Sequence, residues 1–372
     1  MRIIVLGAGI FGASTAYHLA GAGAEVIILD EDHAGRATAA GAGIINPWSS
    51  EREDEAWYAM ANASARAYPA LIEELAGLGE TQTSYGRVGA ICAPADPAQL
   101  AATEARTRAR AATVPEAGAI TRLSAAEARA LFPPLRPGQP ALHIAGAARV
   151  DGRRLTEALR RAAVRRGATD RIAGVAALVS AGTRVLGVML KDGSRLDADE
   201  VVLAAGAWAP PLLQPLGLRL AVVPQRGQIV HLRMEGQDTS AWPVLLPMSS
   251  HYLLAFGEGR VVVGATRETG SGFDHRLTAG GIAEVLNNAL SVAPGLAQAT
   301  LLETRIGFRP MGPDLAPLLG RPAGWEGLVI ANGLGPGGLT MGPYAGKLAA
   351  QLALRQAPEM DLAPYDPLRG AA

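Results

Sequence analysis

Residues 1–30 read MRIIVLGAGIFGASTAYHLAGAGAEVIILD. An apolar strand, Ile3 to Leu6, runs into Gly7-Ala8-Gly9-Ile10-Phe11-Gly12. A helical stretch follows, and a second strand from Val26 to Leu29 ends on Asp30. The G-x-G-x-x-G spacing is weak evidence alone. Enclosed by strand, helix, second strand and terminal acid, it marks a dinucleotide-binding βαβ unit. Gly7 allows the tight turn, Gly9 lets backbone approach a pyrophosphate, and Gly12 lets the helix pack against the strand. The helix N-terminus offers free N–H groups to phosphate. Asp30 stands 23 positions past Gly7, near the ~20-residue offset at which an acid reaches a ribose hydroxyl. A turn that is glycine-rich only for packing is the competing reading.

Working outward, 372 residues are too many for one small core, so two domains are expected. The chain is 49% hydrophobic and 18% charged, as in a globular soluble protein. Lys+Arg and Asp+Glu are both 34, a balance that argues against a nucleic-acid partner. The single Cys92 excludes an internal disulfide and a cysteine metal cluster. The six histidines form no ligand spacing, so no metal is expected. A strand starting at residue 3 leaves no room for a signal peptide, and a cytoplasmic location is expected. No apolar run is long enough for an integral membrane segment; the most apolar region, 201–223, is broken by Gly206, Pro210, Pro211, Pro215 and Arg219. Peripheral membrane contact and oligomeric state stay open.

Residues 54–76 are predicted as an amphipathic helix with Trp57, Met60, Ala61, Tyr68, Leu71, Ile72 and Leu75 on one face, kinked or split at Pro69. Further helices are predicted at 97–112, 124–131, 153–166, 279–293 and 341–355. The basic face of 153–166 reads as a solvated surface in a neutral chain. Strands are predicted at 87–93, 185–190, 195–199, 201–204, 226–233, 252–256, 260–266, 301–308 and 328–331. A βαβ opening, a returning helix–strand pair and a closing strand–glycine–helix unit enclose two insertions. The expected fold class is α/β (α+β overall): a Rossmann-like domain of 1–80, 145–221 and 303–372, discontinuous in sequence, and a second domain of 81–144 and 222–302.

Two later segments bear on the dinucleotide. VVLAAGAW (201–208) is a buried strand that stops at small residues, and LVIANGLGPGGLTMGP (328–343) repeats strand, glycine-rich turn and helix. A helix N-terminus aimed at an electron-rich ring suits the N1–C2=O edge of a flavin, which a nicotinamide lacks. Three glycine-rich contacts spread over the chain suit FAD better than NAD. For 333–338 taken alone, a plain loop fits as well. At this point the chain resembles the D-amino-acid oxidase-like family of FAD-dependent amine oxidoreductases, which includes glycine oxidase, D-amino-acid dehydrogenase and, more distantly, sarcosine oxidase. The matching segments are GAGIFG…ILD (7–30), AAGAGIINP (39–47), VVLAAGAWAP (201–210), PQRGQIVHL (224–232), VVVGATRETG (261–270), GFRPMGPDLAPLLG (307–320) and NGLGPGGLTMGPYAGKLAA (332–350). Residues 95–145 carry no matching motif.

The resemblance implies an FAD domain and a substrate domain with a large antiparallel sheet. The expected FAD contacts are Gly7, Gly9, Ile10, Phe11, Gly12, Asp30, Glu31, Thr38, Ala42, Gly43, Ile44, Val175, Ala205, Gly206, Trp208, Gly335, Gly337, Gly338, Leu339 and Thr340. FAD is expected to be non-covalent, because the covalent attachment of sarcosine oxidases needs a late cysteine and none follows residue 92.

An enzyme that oxidises an amino acid must hold a carboxylate, and the planar fork of arginine does so bidentately. By resemblance, Arg309 in Gly-Phe-Arg-Pro carries that role; a tie to Asp314 or Glu303 is the competing reading. Tyr252 stands where glycine-oxidase relatives place a carboxylate-binding tyrosine, and a core tyrosine is its alternative. Arg267 either contacts an acidic or polar substrate group or pairs with Glu268 or Asp274. Pro336 departs from a basic contact of glycine oxidases, which weakens the case for glycine itself. The expected reaction is oxidative deamination of a small primary amino acid, a D-amino acid first, by hydride transfer from Cα to flavin N5, with oxygen or a quinone as acceptor. The alternatives are oxidation of a secondary amino acid (sarcosine-like or cyclic), a non-catalytic flavoprotein subunit and, remotely, an NAD-dependent dehydrogenase.

Overall fold

The computed structural model describes residues 1–370. The opening unit forms strand Arg2–Leu6, helix Ile10–Gly21 and strand Glu25–Asp30. The two strands pair in parallel, with Ile3 opposite Val26 and Leu6 opposite Leu29. Ile3, Ile4 and Val5 have no exposed surface, as expected of a parallel strand covered on both faces. Across this six-stranded sheet the order is Leu318–Gly320, Leu328–Asn332, Glu200–Leu203, Arg2–Leu6, Glu25–Asp30 and Thr169–Ile172. All neighbours are parallel except the first pair. Start, middle and end of the chain thus build one sheet. The turns after Leu6, Asp30, Leu203 and Asn332 leave it at the carboxyl edge, where open α/β sheets bind ligands.

Glu200, 1% exposed in its side chain, opens the central strand. It accepts hydrogen bonds from Arg321 at 2.9 and 3.1 Å and from Arg355 at 3.1 Å. This pairing fastens the middle of the chain to its end.

The second sheet has nine strands. Its axis is Val223–Arg233, which runs antiparallel to Thr300–Met311 on one side and to Arg260–Gly264 on the other. Tyr252–Ala255, Val244–Leu246, Ala90–Cys92, Ala141–Ile144 and Ile120–Leu123 extend it outward, with one parallel pair, 244–246 against 90–92. Both insertions therefore contribute to one mixed, largely antiparallel sheet. Residue 303, where the sequence division changes domain, lies inside Thr300–Met311 and pairs with His231.

Several elements differ from expectation. Residues 55–77 form one unbroken helix although Pro69 lies within it. Pro69 is on the exposed side, while Trp57, Met60, Tyr68, Leu71 and Leu75 are buried on the other. Burial on both sides of the proline outweighs its missing N–H. The C-terminal helix is Gly338–Ala353, three residues longer at its start than predicted. Pro343 lies in its second turn and cannot donate to the Leu339 carbonyl. The buried Tyr68 hydroxyl donates to that carbonyl instead. Tyr68→Phe should lower the melting temperature by several degrees, since a buried acceptor left unpaired costs roughly 1–3 kcal/mol. Pro343→Ala, which restores an N–H at that position, should recover most of the loss in calorimetric melts.

Two imidazoles, the half-buried His18 and the buried His231, give the fold a pH dependence. Burial pushes His18 down to about 4, helped by Lys347 and Arg166. Burial also pushes His231 to about 4, with Arg305 and Arg260 acting against Glu303 and Asp151. In the unfolded chain both titrate at the ordinary value of 6.5. Between 6.5 and 4 the unfolded state binds more protons. Their contribution is therefore intact above 6.5 and is lost as pH falls towards 4, with unfolding taking up on the order of two protons near pH 5. Melts between pH 7.5 and 4.5 should show this slope, and His18→Gln should flatten it.

Candidate active site

A cavity of about 970 Å³ opens at the carboxyl edge of the parallel sheet and continues beneath the second sheet. Gly7, at φ +95°, makes the first turn, and its N–H donates to Leu29 O at 2.7 Å. A Cβ at Gly12 would overlap the Gly7 carbonyl oxygen, so strand and helix meet without side chains between them. Gly12 accordingly stands behind the cavity, whereas every other residue expected at the cofactor lines it. Asp30 is buried; its Oδ2 accepts from the Ala8 N–H at 2.5 Å and its Oδ1 from Asp32 N–H at 2.7 Å. Beside it, Glu31 pairs with Lys191. Thr38 Oγ1 accepts from the Ile10 N–H at 3.0 Å. Gly43, at φ +85°, brings the 42–44 segment against Val150. Thr340 Oγ1 donates to Ile44 O at 2.8 Å and so ties that segment to the C-terminal helix.

Two helices point their N-termini into this space, Ile10–Gly21 and Gly338–Ala353. Neither has a side-chain cap at its N-cap glycine or an acid in its first turn. Such ends carry unsatisfied N–H groups and partial positive charge. They suit one ligand that is anionic near its middle and electron-rich at a distant edge, as FAD is. Near Ala205 and Gly206, the Trp208 ring stacks on His33 at 4.6 Å and on Phe273 at 4.9 Å. Val175, which opens strand Val175–Ala181, completes this wall.

Arg309 and Tyr252 enter from the second sheet. The register sets Arg309 opposite Gln225 and Gly307 opposite Gly227. A Cβ at Gly227 would lie 2.6 Å from Arg309 Nη2, so the guanidinium lies in a notch that only glycine leaves open. Arg309 Nη1 donates to Thr266 O at 3.0 Å and Gln225 Oε1 at 3.2 Å. Asp314 is engaged by Arg369 at 2.7 Å and Glu303 by Arg305. Neither proposed carboxylate partner therefore holds Arg309, and its guanidinium forms no ion pair among the described residues. Burial pushes Arg309 below its ordinary value, while Tyr252 opposes the shift. The Tyr252 phenol lies over Gly264, where a Cβ would come within 2.9 Å of its oxygen. Burial raises its pKa; Arg309 and Arg267 counteract in part. It stays a neutral donor at ordinary pH.

Arg267 lines the same cavity and is exposed to it. Glu268 is held by Arg226 and Gln228, and Asp274 by Arg226 and Arg276, so the turn salt bridges that were one of the two readings of Arg267 do not form. His251 reaches Glu284 at 3.3 Å. Sequence reasoning missed Gln225, which orients Arg309, and Arg52, which lines the cavity. Gln225 lay within the matched segment PQRGQIVHL, whereas Arg52 sits in a charged stretch that reads as solvated.

Comparison with known proteins agrees with this geometry. Residues 2–352 match the family model described as FAD dependent oxidoreductase, DAO. The chain belongs to this family. The DAO family uses FAD, and this chain is an FAD-dependent oxidoreductase of amino acids or amines. It is similar to the crystal structure of iminodiacetate oxidase from Chelativorans sp. BNC1, with 52% identity and a TM-score of 0.96, over 98% of this chain and 99% of the other. It is 49% identical over 365 residues to the uncharacterized oxidoreductase YurR of Bacillus subtilis, over 98% of each chain. It is 33% identical over 371 residues to the glycine oxidase of Pseudomonas aeruginosa, again over 98% of each. Among the described residues, no helix is long and apolar enough to cross a membrane.

Proposed function

We propose that this DAO-family chain oxidises a secondary amino acid in which a carboxylate-bearing carbon is attached to an N-substituted amine. The observation that carries the reading is the half-buried, carboxylate-free Arg309 beside Tyr252, within the FAD-sized cavity. The similar iminodiacetate oxidase acts, by its name, on a secondary amine. At 52% identity over nearly the whole length, it supports a secondary amine above the primary D-amino acid that the motifs put first. The glycine oxidases, at about a third identity, are the chief support for a primary amine.

FAD, when bound, supplies a two-electron acceptor. The chain's own residues bind and orient. Arg309 and Tyr252 take the two oxygens of the substrate carboxylate, which fixes the adjacent C–H relative to the glycine-lined half of the cavity. Positive charge from Arg309 and Arg267 disfavours an ammonium and so favours the neutral amine, which needs no side-chain base. Loss of a hydride and a proton gives R–N=CH–CO2⁻; water then releases R–NH2 and glyoxylate. Positioning and charge provide the catalysis.

Anaerobic bleaching of the flavin with a panel of amines tests this. Iminodiacetate and N-methylglycine should bleach faster than glycine or D-alanine, with a primary amine and glyoxylate as products. Faster bleaching by a primary D-amino acid, with ammonia released, would overturn it.

A further inference from the structure

We propose that Arg52 and Arg267 form a second carboxylate site in this cavity, which selects substrates bearing two carboxylates. The proposal rests on the reading that an amino-acid carboxylate binds at Arg309, and it names the class of substrate.

Three guanidinium groups, Arg52, Arg267 and Arg309, line one cavity, and none has an ion pair among the described residues. Arg267 lines the cavity with Arg52, Arg309 and Tyr252, and its positive charge acts on each of them. The surrounding acids are engaged elsewhere. Glu268 and Asp274 belong to Arg226. Glu51 accepts from Gln99 at 3.1 Å, and Asp54 accepts from the Trp57 N–H at 2.5 Å as a helix cap. Glu284 faces His251 at 3.3 Å. A single carboxylate at Arg309 would leave Arg267 with no ion-pair partner among the described residues and Arg52 with only the field of Asp54. A dianion with its charges several bonds apart neutralises both ends.

Arg52 is also held in place. Arg110 donates to Ser50 O at 2.7 Å and to Arg52 O, and Arg106 donates to Ser49 O at 3.2 Å. The guanidinium of Arg52 lies over the Trp57 ring, 5.4 Å from its centre. Segment 47–52 is thus a strap fastened to helix Pro97–Ala111, which fixes the backbone from which Arg52 reaches the cavity.

Glutarate tests the site, because it has the two carboxylates of iminodiacetate with CH2 in place of NH. It cannot be oxidised as an amine, so its binding is independent of turnover. Butyrate, with one carboxylate, is the control. Titrated into the FAD-loaded enzyme and followed by the flavin spectrum, glutarate should bind at least tenfold more tightly than butyrate. Arg52→Gln should weaken glutarate about tenfold and leave butyrate within about twofold, and Arg267→Gln should weaken glutarate several-fold more than it weakens butyrate. In wild type, added salt should weaken glutarate more steeply than butyrate, a readout that needs no variant to fold. Equal affinities for the two acids, or variants that weaken both alike, would overturn the second site. If no secondary amine bleaches the flavin yet glutarate binds in this pattern, the proposed function falls and the site stands.

Discussion

Arg309→Ala is expected to lower kcat/KM by roughly 10²–10³-fold, the range for losing a buried charge-assisted pair. KM should rise most, and kcat should fall as well, because the lost fork both binds and orients. The FAD content of the purified variant should stay at the wild-type level, since Arg309 reaches the cavity from the second sheet, opposite Gln225. Arg309→Lys should recover little: it keeps the charge but not the paired donors, and it would lose the bond to Thr266 O at 3.0 Å or that to Gln225 at 3.2 Å. Steady-state kinetics together with flavin absorbance separates these effects. Unchanged kinetics would make the guanidinium a prop for the strands around it and place the carboxylate elsewhere.

Gly12→Ala should have the largest structural effect. The new methyl would meet the Gly7 carbonyl oxygen and would lie 3.2 Å from Ala204 Cβ, both in the tightest part of the first sheet. Relief requires the helix Ile10–Gly21 to move away from strands Arg2–Leu6 and Glu200–Leu203, which breaks the phosphate turn and the core at once. A cost above about 4 kcal/mol is in the exceptional class for a single substitution. Insoluble or colourless protein is the expected outcome. Gly77→Ala is the matched control: it ends helix Glu55–Gly77, has nothing within 4 Å of its added Cβ, and should be neutral or slightly stabilising. A flavin-loaded, normally melting Gly12→Ala protein would contradict the packing described.

The parts of the fold that were legible in the sequence are those whose chemistry is local. The Gly7–Gly12 turn, the strand ending at Asp30 and the glycines before the C-terminal helix each need a particular residue at a particular place. Arg309 and Tyr252 were singled out by resemblance, Arg309 from Gly-Phe-Arg-Pro and Tyr252 from its place at the head of a strand. Short edge strands were not. Thr169–Ile172 is four residues with Thr169, Arg171 and Ile172 exposed, so no alternating pattern marks it. The split expected at Pro69 does not occur, because its neighbours are buried by partners far away in sequence. Arg52 was illegible for a similar reason: only the three-dimensional path of 47–52, set by Arg106 and Arg110 some sixty residues later, turns a solvated-looking charge into a wall of the cavity.

Strand Thr300–Met311 touches both halves of the molecule. Its Phe308 N–H donates to Gly35 O at 2.8 Å, Arg305 donates to Ala39 O at 3.3 Å, and Arg309 follows one residue after Phe308. The shelf beside the coenzyme and the grip on the reactant are therefore rivets on one girder. A hinge that swung the two sheets apart would shear those bonds before it admitted anything. Segments 49–52 and 248–251 line the same cavity and lie outside that strand, so substitutions there reshape its wall without loosening the frame.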